Sequence, residues 1–183
     1  MAPPASKSGL AKPLTGSDGT PLRVEEFLVE LADALNTTLD LDTLLSRVAE
    51  MVKRVIPYEI FAILLLNEKT QDLRMRFQIG HNPETERLRI KIGQGITGQA
   101  VERVEPVLVN DVMAYPNYLN GHEAVRSELA VPLVAKNKTI GVIDIQSVEV
   151  NFFTPEHARL LRLVASRIAI AIENARLYTR VAR

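Results

Sequence analysis

The sequence predicts an α+β fold, an antiparallel sheet with helices from both ends of the chain packed against it. Three observations predict it. Residues 73–79 and 87–92 alternate apolar and polar side chains with period two, which suits an antiparallel sheet with one face buried. Strands arrive in pairs across short polar turns at 67–71 and 136–139, as hairpins rather than as strand-helix-strand units. Amphipathic helices flank these strands on both sides in the chain.

Taken in order, Phe27, Leu28, Leu31 and Leu35 fall on one face of a first helix over roughly 22–36, which Asn36-Thr37-Thr38 interrupts. Asp40 caps a second helix whose apolar face is Leu41, Leu44, Leu45, Val48, Val52 and Val55. Pro57 stops it, because proline has no N–H and clashes with the preceding turn. The apolar run IFAILLL over 60–66 is short enough for a strand covered on both faces. Its hairpin partner places Leu73, Met75, Phe77 and Ile79 on one face and Arg74, Arg76 and Gln78 on the other. A third strand sets Leu88, Ile90 and Ile92 against Arg87, Arg89 and Lys91. A short helix over roughly 97–104, a short strand over 107–109 and a long polar connection over 110–126 follow. The strands ELAVPLVA (128–135) and IGVIDIQS (140–147) form another hairpin. Pro132 lacks a ladder donor and requires an edge or a bulge at its position. Phe153-Thr154-Pro155-Glu156 opens the last helix with a threonine cap, a proline at the first helical position and an acid in the first turn. Leu160, Leu161, Val164, Ile168, Ile172, Ala175 and Tyr178 carry its apolar face.

Composition bounds the function. The chain of 183 residues reads as a disordered leader over 1–21, rich in proline and glycine, and one domain over 22–181. Lys plus Arg equal Asp plus Glu at 22 each, so no basic surplus draws the chain to nucleic acid. The leader holds no apolar h-region of a signal peptide, and no apolar run reaches the ~20 residues of a membrane span. The expectation is a cytoplasmic protein with neither nucleic acid nor membrane as partner. There is no cysteine, which excludes disulfides, thiolate-ligated zinc, thiol catalysis and thioether-attached cofactors. His81, His122 and His157 are scattered without metal spacing. No Ser-His-Asp arrangement, phosphate-gripping lysine or acid cluster stands out, so no metal and no catalytic residue is assigned. The basic run Arg74, Arg76, Arg87, Arg89 and Lys91 is either a solvated face or a lure for an anionic ligand.

Gly93, Gly95 and Gly98 in IGQGITGQAV match G-x-G-x-x-G, and Asp111 follows eighteen residues after Gly93, close to a dinucleotide-binding fingerprint. The context is wrong for that fold. A parallel sheet needs a continuous apolar strand before the glycines, whereas 88–92 is charged on alternate residues. The glycines read instead as a tight strand-to-helix turn.

The stretches GQGITGQAV, VLVNDV, RSELAVPLVAKNKTIGVIDIQS and FTPEHARLLRLVASRIAIAIENARLY resemble a GAF domain, of the type found in bacterial signalling proteins upstream of histidine kinases, cyclic-nucleotide enzymes or serine phosphatases. The resemblance covers about residues 22–181. It implies a six-stranded antiparallel sheet with the N- and C-terminal helices on one face and a pocket of loops and short helices on the other. It implies a regulatory domain that senses a small molecule, is not an enzyme, pairs as a homodimer through its terminal helices and drives an output domain in cis. A ligand-free dimerisation scaffold with a collapsed pocket is the other reading. Relatives that hold bilins or reduce free methionine sulfoxide depend on cysteine, so neither property carries over, and no cofactor is assigned. His122 in the pocket loop corresponds to a region where some relatives hold haem, but reads here as a solvated loop histidine. Asn137-Lys138, Phe153 and Glu156 match the cyclic-nucleotide pattern loosely, and Pro155 replaces its aspartate, which argues against that ligand.

The candidate ligand-binding residues lie in the long loop and beside the glycine turn: Thr97, Asp111, Tyr115, Asn117, Tyr118, Asn120 and Arg126. The tyrosines would stack a planar ligand or pack the loop down. Arg126 would meet an anion or pair with a nearby acid. Asp111 would accept donors, and Thr97 sits in the first turn of the short helix, where backbone N–H groups are free.

Overall fold

The computed structural model describes residues 23–119 and 122–181, with Thr15, Gly19 and Pro21. The leader expected over 1–21 lies almost wholly outside the described residues. The first helix, α1 (Val24–Thr37), buries Phe27, Leu31 and Ala34. In α2 (Leu41–Val55), Asp40 caps the N-terminus by accepting from the Thr43 amide at 2.9 Å. This helix ends before Pro57, as proline dictates.

Six strands follow: β1 (Ile60–Asn67), β2 (Asp72–Ile79), β3 (Arg89–Lys91), β4 (Val107–Val109), β5 (Ser127–Ala135) and β6 (Lys138–Ser147). They form one sheet in the order β3-β2-β1-β6-β5-β4, with every pair antiparallel. A 3₁₀ turn over Pro83–Arg87 precedes β3, which is therefore shorter than the alternation suggested. Pro132 sits where no strand flanks β5 on its outer side, because β4 pairs only with Glu128–Ala130. The missing donor is thereby accommodated.

Helices α1, α2 and α4 (Pro155–Val181) share one buried cluster with Phe61, Ile63, Leu129, Val131, Ile143 and Ile145 from the sheet. On the opposite face, α3 (Gly95–Arg103) and β4 build a second cluster with Ile60, Ala62, Leu64, Ala130 and Val142. Successive strand side chains point to opposite faces, so each central strand contributes to both clusters by parity.

One expected face of β2 is not a single face. Ile63 pairs with Phe77 and the next residue, Leu64, pairs with Met75, which leaves Arg76 as the extra residue of a β-bulge. Leu73 and Met75 consequently join the second cluster, whereas Phe77 and Ile79 pack with the helices. Arg76 reaches Asp42 of α2 and Arg74 pairs with Asp72 at 2.8 Å.

The glycine motif forms the corner between β3 and α3. Gly93 has φ +84° and donates its amide to the Gly98 carbonyl at 2.9 Å. A Cβ on Gly98 would stand 2.5 Å from the Lys91 carbonyl oxygen. The glycines permit close backbone approach, as the strand-to-helix reading required. At α4, Thr154 Oγ1 accepts from the His157 amide and His157 Nδ1 accepts from the Thr154 amide, each at 3.2 Å. This is a capping box in which histidine replaces the usual acid or amide. His157 is thus part of the cap.

Replacing Gly98 by alanine is expected to lower the unfolding free energy by about 1–3 kcal/mol through overpacking against Lys91. A urea titration measures it: the midpoint falls at unchanged slope, and a midpoint equal to the parent's refutes the close approach.

Candidate functional site

On the sheet face opposite the terminal helices lies a cavity of about 50 Å³. Its floor comes from β1, β5 and β6 through Leu64, Glu128, Asp144 and Gln146. Its walls are Met75 and Ile90 from β2 and β3, Ile96 and Thr97 from α3, and His81, Thr85, Leu88, Tyr118 and Leu119 from connecting segments. The volume has room for a few water molecules or a small head group, below the ~300–1,000 Å³ of pockets for drug-sized ligands.

Register explains why polar groups reach this floor. In VIDIQ, Ile143 and Ile145 point to the helices, so Val142, Asp144 and Gln146 must point the other way. Asp144 pairs with Ala62 on β1 and Ala130 on β5, and Gln146 pairs with Glu128. Two alanines thus leave the space over Asp144 open on both sides, while Glu128 stands diagonally across.

The polar floor is buried and incompletely satisfied. Gln146 Nε2 donates to Asp144 Oδ2 at 2.7 Å, yet Asp144 Oδ1 and Gln146 Oε1 have no hydrogen-bond partner. The Tyr118 hydroxyl and His81 Nδ1 are likewise buried without one. An unsatisfied buried polar group costs about 1–3 kcal/mol, and four such groups around one cavity are unusual in a native fold. Burial pushes Asp144 up to about 6, and burial together with the charge of Asp144 lifts Glu128 well above the usual carboxylate range. The two carboxyls act on each other as well as being buried: the charge of Asp144 and a side-chain interaction with it raise Glu128, while the same interaction moderates the rise of Asp144. Burial lowers the His81 pKa, favouring the neutral ring, and raises that of the Tyr118 phenol.

Of the residues expected to bind a ligand, Thr97 and Tyr118 line this cavity. Asp111, Tyr115, Asn117 and Arg126 do not. Asp111 caps a 3₁₀ turn over Val112–Ala114 and pairs with Arg126 Nη2 at 3.3 Å. Tyr115 donates its hydroxyl to Gln99 Oε1, so it ties the loop to α3. Asn117 is an exposed turn residue with φ +62°. Asn120 lies outside the described residues. The basic run is not part of the lining either, because strand parity directs Met75 and Ile90 inward in its place. Nor is His122 among the lining residues. Sequence reasoning missed Glu128, Asp144, Gln146 and His81. The available signal was an acid and an amide two residues apart inside an apolar strand.

The GAF domain family profile matches residues 38–173. The chain is 26% identical over 167 residues to the formate hydrogenlyase transcriptional activator of Salmonella typhimurium, covering 86% of this chain and 24% of the activator. The chain therefore spans about a quarter of that relative's length. The GAF domain of a phosphoenolpyruvate-protein phosphotransferase from Coxiella burnetii superposes with a TM-score of 0.78 at 22% identity, over 86% of this chain and 96% of that one. Free methionine-R-sulfoxide reductase from Neisseria meningitidis, solved in complex with its substrate, superposes with a TM-score of 0.75 at 25% identity, over 85% and 91%.

The acid pair makes a pH prediction. Both carboxyls keep their protons to higher pH in the folded chain than in the unfolded chain. Unfolding therefore releases protons above about pH 4, and stability falls as pH rises, by up to about 1.4 kcal/mol per pH unit per proton. Between pH 5 and 8, the parent should lose more stability than Glu128→Gln in urea titrations. The opposing effect of His81 is common to both proteins. Parallel pH profiles would contradict the raised Glu128 carboxyl.

Proposed function

The chain belongs to the GAF domain family, and from that premise we propose that it is the small-molecule-sensing regulatory input domain of a bacterial signal-transduction protein. One observation carries the reading: a cavity with unsatisfied polar groups lies on one sheet face, and α4 crosses the other face of the same sheet. A ligand that fills the cavity and binds two arrangements of the sheet unequally would bias α4 by the ~1–3 kcal/mol typical of such coupling. Membership of much longer relatives supports an output domain in cis. The domain acts by binding rather than by catalysis, in a cytoplasmic protein, and requires no cofactor. The reductase relatives are enzymes by name, but this chain has no cysteine to share the thiol chemistry that resemblance assigns to them.

Homodimerisation through α4 is the second part of the proposal. Leu163, Ile170 and Leu177 recur every seven residues, and all three are exposed at 39–48%. Their stripe lies apart from the buried stripe of Leu160, Leu161, Val164, Ile168 and Ile172. A heptad repeat of exposed aliphatic residues fits pairing with a second α4. The small cavity favours one further reading, a ligand-free dimerisation scaffold whose own side chains fill the pocket.

Two measurements test these parts. A melting-temperature screen against nucleotides, amino acids, amines and small carboxylates should yield at least one stabilising ligand, since binding to the folded state alone raises stability. No shift across the panel favours the scaffold. In sedimentation at micromolar concentration the chain should run as a dimer and Ile170→Glu as a monomer. A monomeric parent rules out the helix pair as the means of action.

A further inference from the structure

Glu128 and Asp144 are 4% and 1% exposed, and no lysine or arginine lines the cavity with them. Neither acid takes part in an ion pair among the described residues. His81, the basic side chain on the lining, has its pKa lowered by burial. A buried charge without a counter-charge costs several kcal/mol, so the floor is electrostatically incomplete. Its hydrogen bonding is incomplete in the same sense. Asp144 Oδ1 and Gln146 Oε1 are acceptors without donors, and Gln146 Nε2 is already engaged with Asp144 Oδ2.

We propose that this cavity recognises a small molecule through a primary ammonium group, seated over Asp144 between Ala62 and Ala130 with Gln146 Oε1 as a second acceptor. The proposal rests on the sensing function proposed above and names its ligand class. An ammonium brings one positive charge and three N–H donors and accepts nothing, which complements both deficits of the floor. Glu128 stands diagonally across from Asp144 on the same floor, so an ammonium meets two buried carboxyl groups on a lining that holds no lysine or arginine. A carboxylate or phosphate would instead meet two acids and an unpaired amide oxygen. A metal ion is disfavoured, because no group of three metal-ligating side chains occurs among the described residues. The volume of about 50 Å³ takes the amine and its first carbons. The rest of the molecule passes the rim at Leu88 and Leu119, which line the cavity and are 44% and 40% exposed.

The test is a titration of the full chain followed by backbone amide NMR. The probes are ethylammonium, ethanolamine and alanine, against 1-propanol and propionate as neutral and anionic counterparts. At least one ammonium compound should give saturable shifts at Ala130, Asp144 and Gln146, with the counterparts at least about tenfold weaker. Asp144→Asn keeps the shape of the floor and should weaken the ammonium compound by at least about tenfold. If that variant loses its dispersed spectrum, Gln146→Leu removes the second acceptor and should weaken it in the same direction. Propionate or propanol saturating the same amides as tightly overturns the ammonium assignment and leaves sensing standing. Absence of saturation by every ammonium probe up to tens of millimolar also overturns it. The broad melting screen then decides sensing by itself.

Discussion

The register of β6 between β1 and β5 is the constraint on which the site depends. Because the side-chain period is two, a slip of one residue would turn Asp144 and Gln146 toward the helices and Ile143 and Ile145 toward the cavity. The cost of burying an acid among α1, α2 and α4 makes that alternative prohibitive. The apolar face therefore holds the polar face in place. Nine buried sheet residues in the helix-side cluster come from β1, β5 and β6, so the same packing that stabilises the domain aims the groups that give it a cavity. Stability and the polar floor are two sides of one pairing.

Much of the fold was legible because its signals are local. Caps at Asp40 and Thr154, the stop at Pro57 and the hairpin turns each announce themselves within a few residues. Parity within a strand is also local, and it placed Leu73 and Met75 together correctly. The bulge at Arg76 was invisible, since strict alternation on one strand carries no information about a pairing partner that skips a residue. The cavity was half legible for the same reason. Thr97 and Tyr118 flank features that could be read in the chain, the glycine corner and the long loop. Glu128 and Asp144 meet only through the register of β5 on β6, which depends on a hairpin and on an irregularity between Leu133 and Val134. The partners of Asp111, Tyr115 and Arg126, namely each other and Gln99, are set by tertiary structure and could not be read in the chain.

The two faces of the sheet also divide the chemistry. Contacts on the helix side are apolar and densely interlocked, and a rearrangement there has to be collective. The cavity side is assembled from short pieces, α3, a 3₁₀ turn and a loop, over a polar floor. Short connecting segments around a rigid sheet are where a bound molecule can be gripped without repacking the main core.

The bulge at Arg76 makes β2 belong to both cores, with Leu73 and Met75 in one and Phe77 and Ile79 in the other. That arrangement separates two kinds of inherited change. Exchanging side chains along β2 disturbs one core at a time, and each exchange can be compensated by neighbours on that face. Removing a residue near Arg76 cannot be compensated in this way. It would erase the bulge and turn over the half of the strand beyond it, sending aromatic bulk toward the cavity and opening a gap beneath the helices. Lineages of this domain should therefore vary freely in the composition of β2 while holding its length constant.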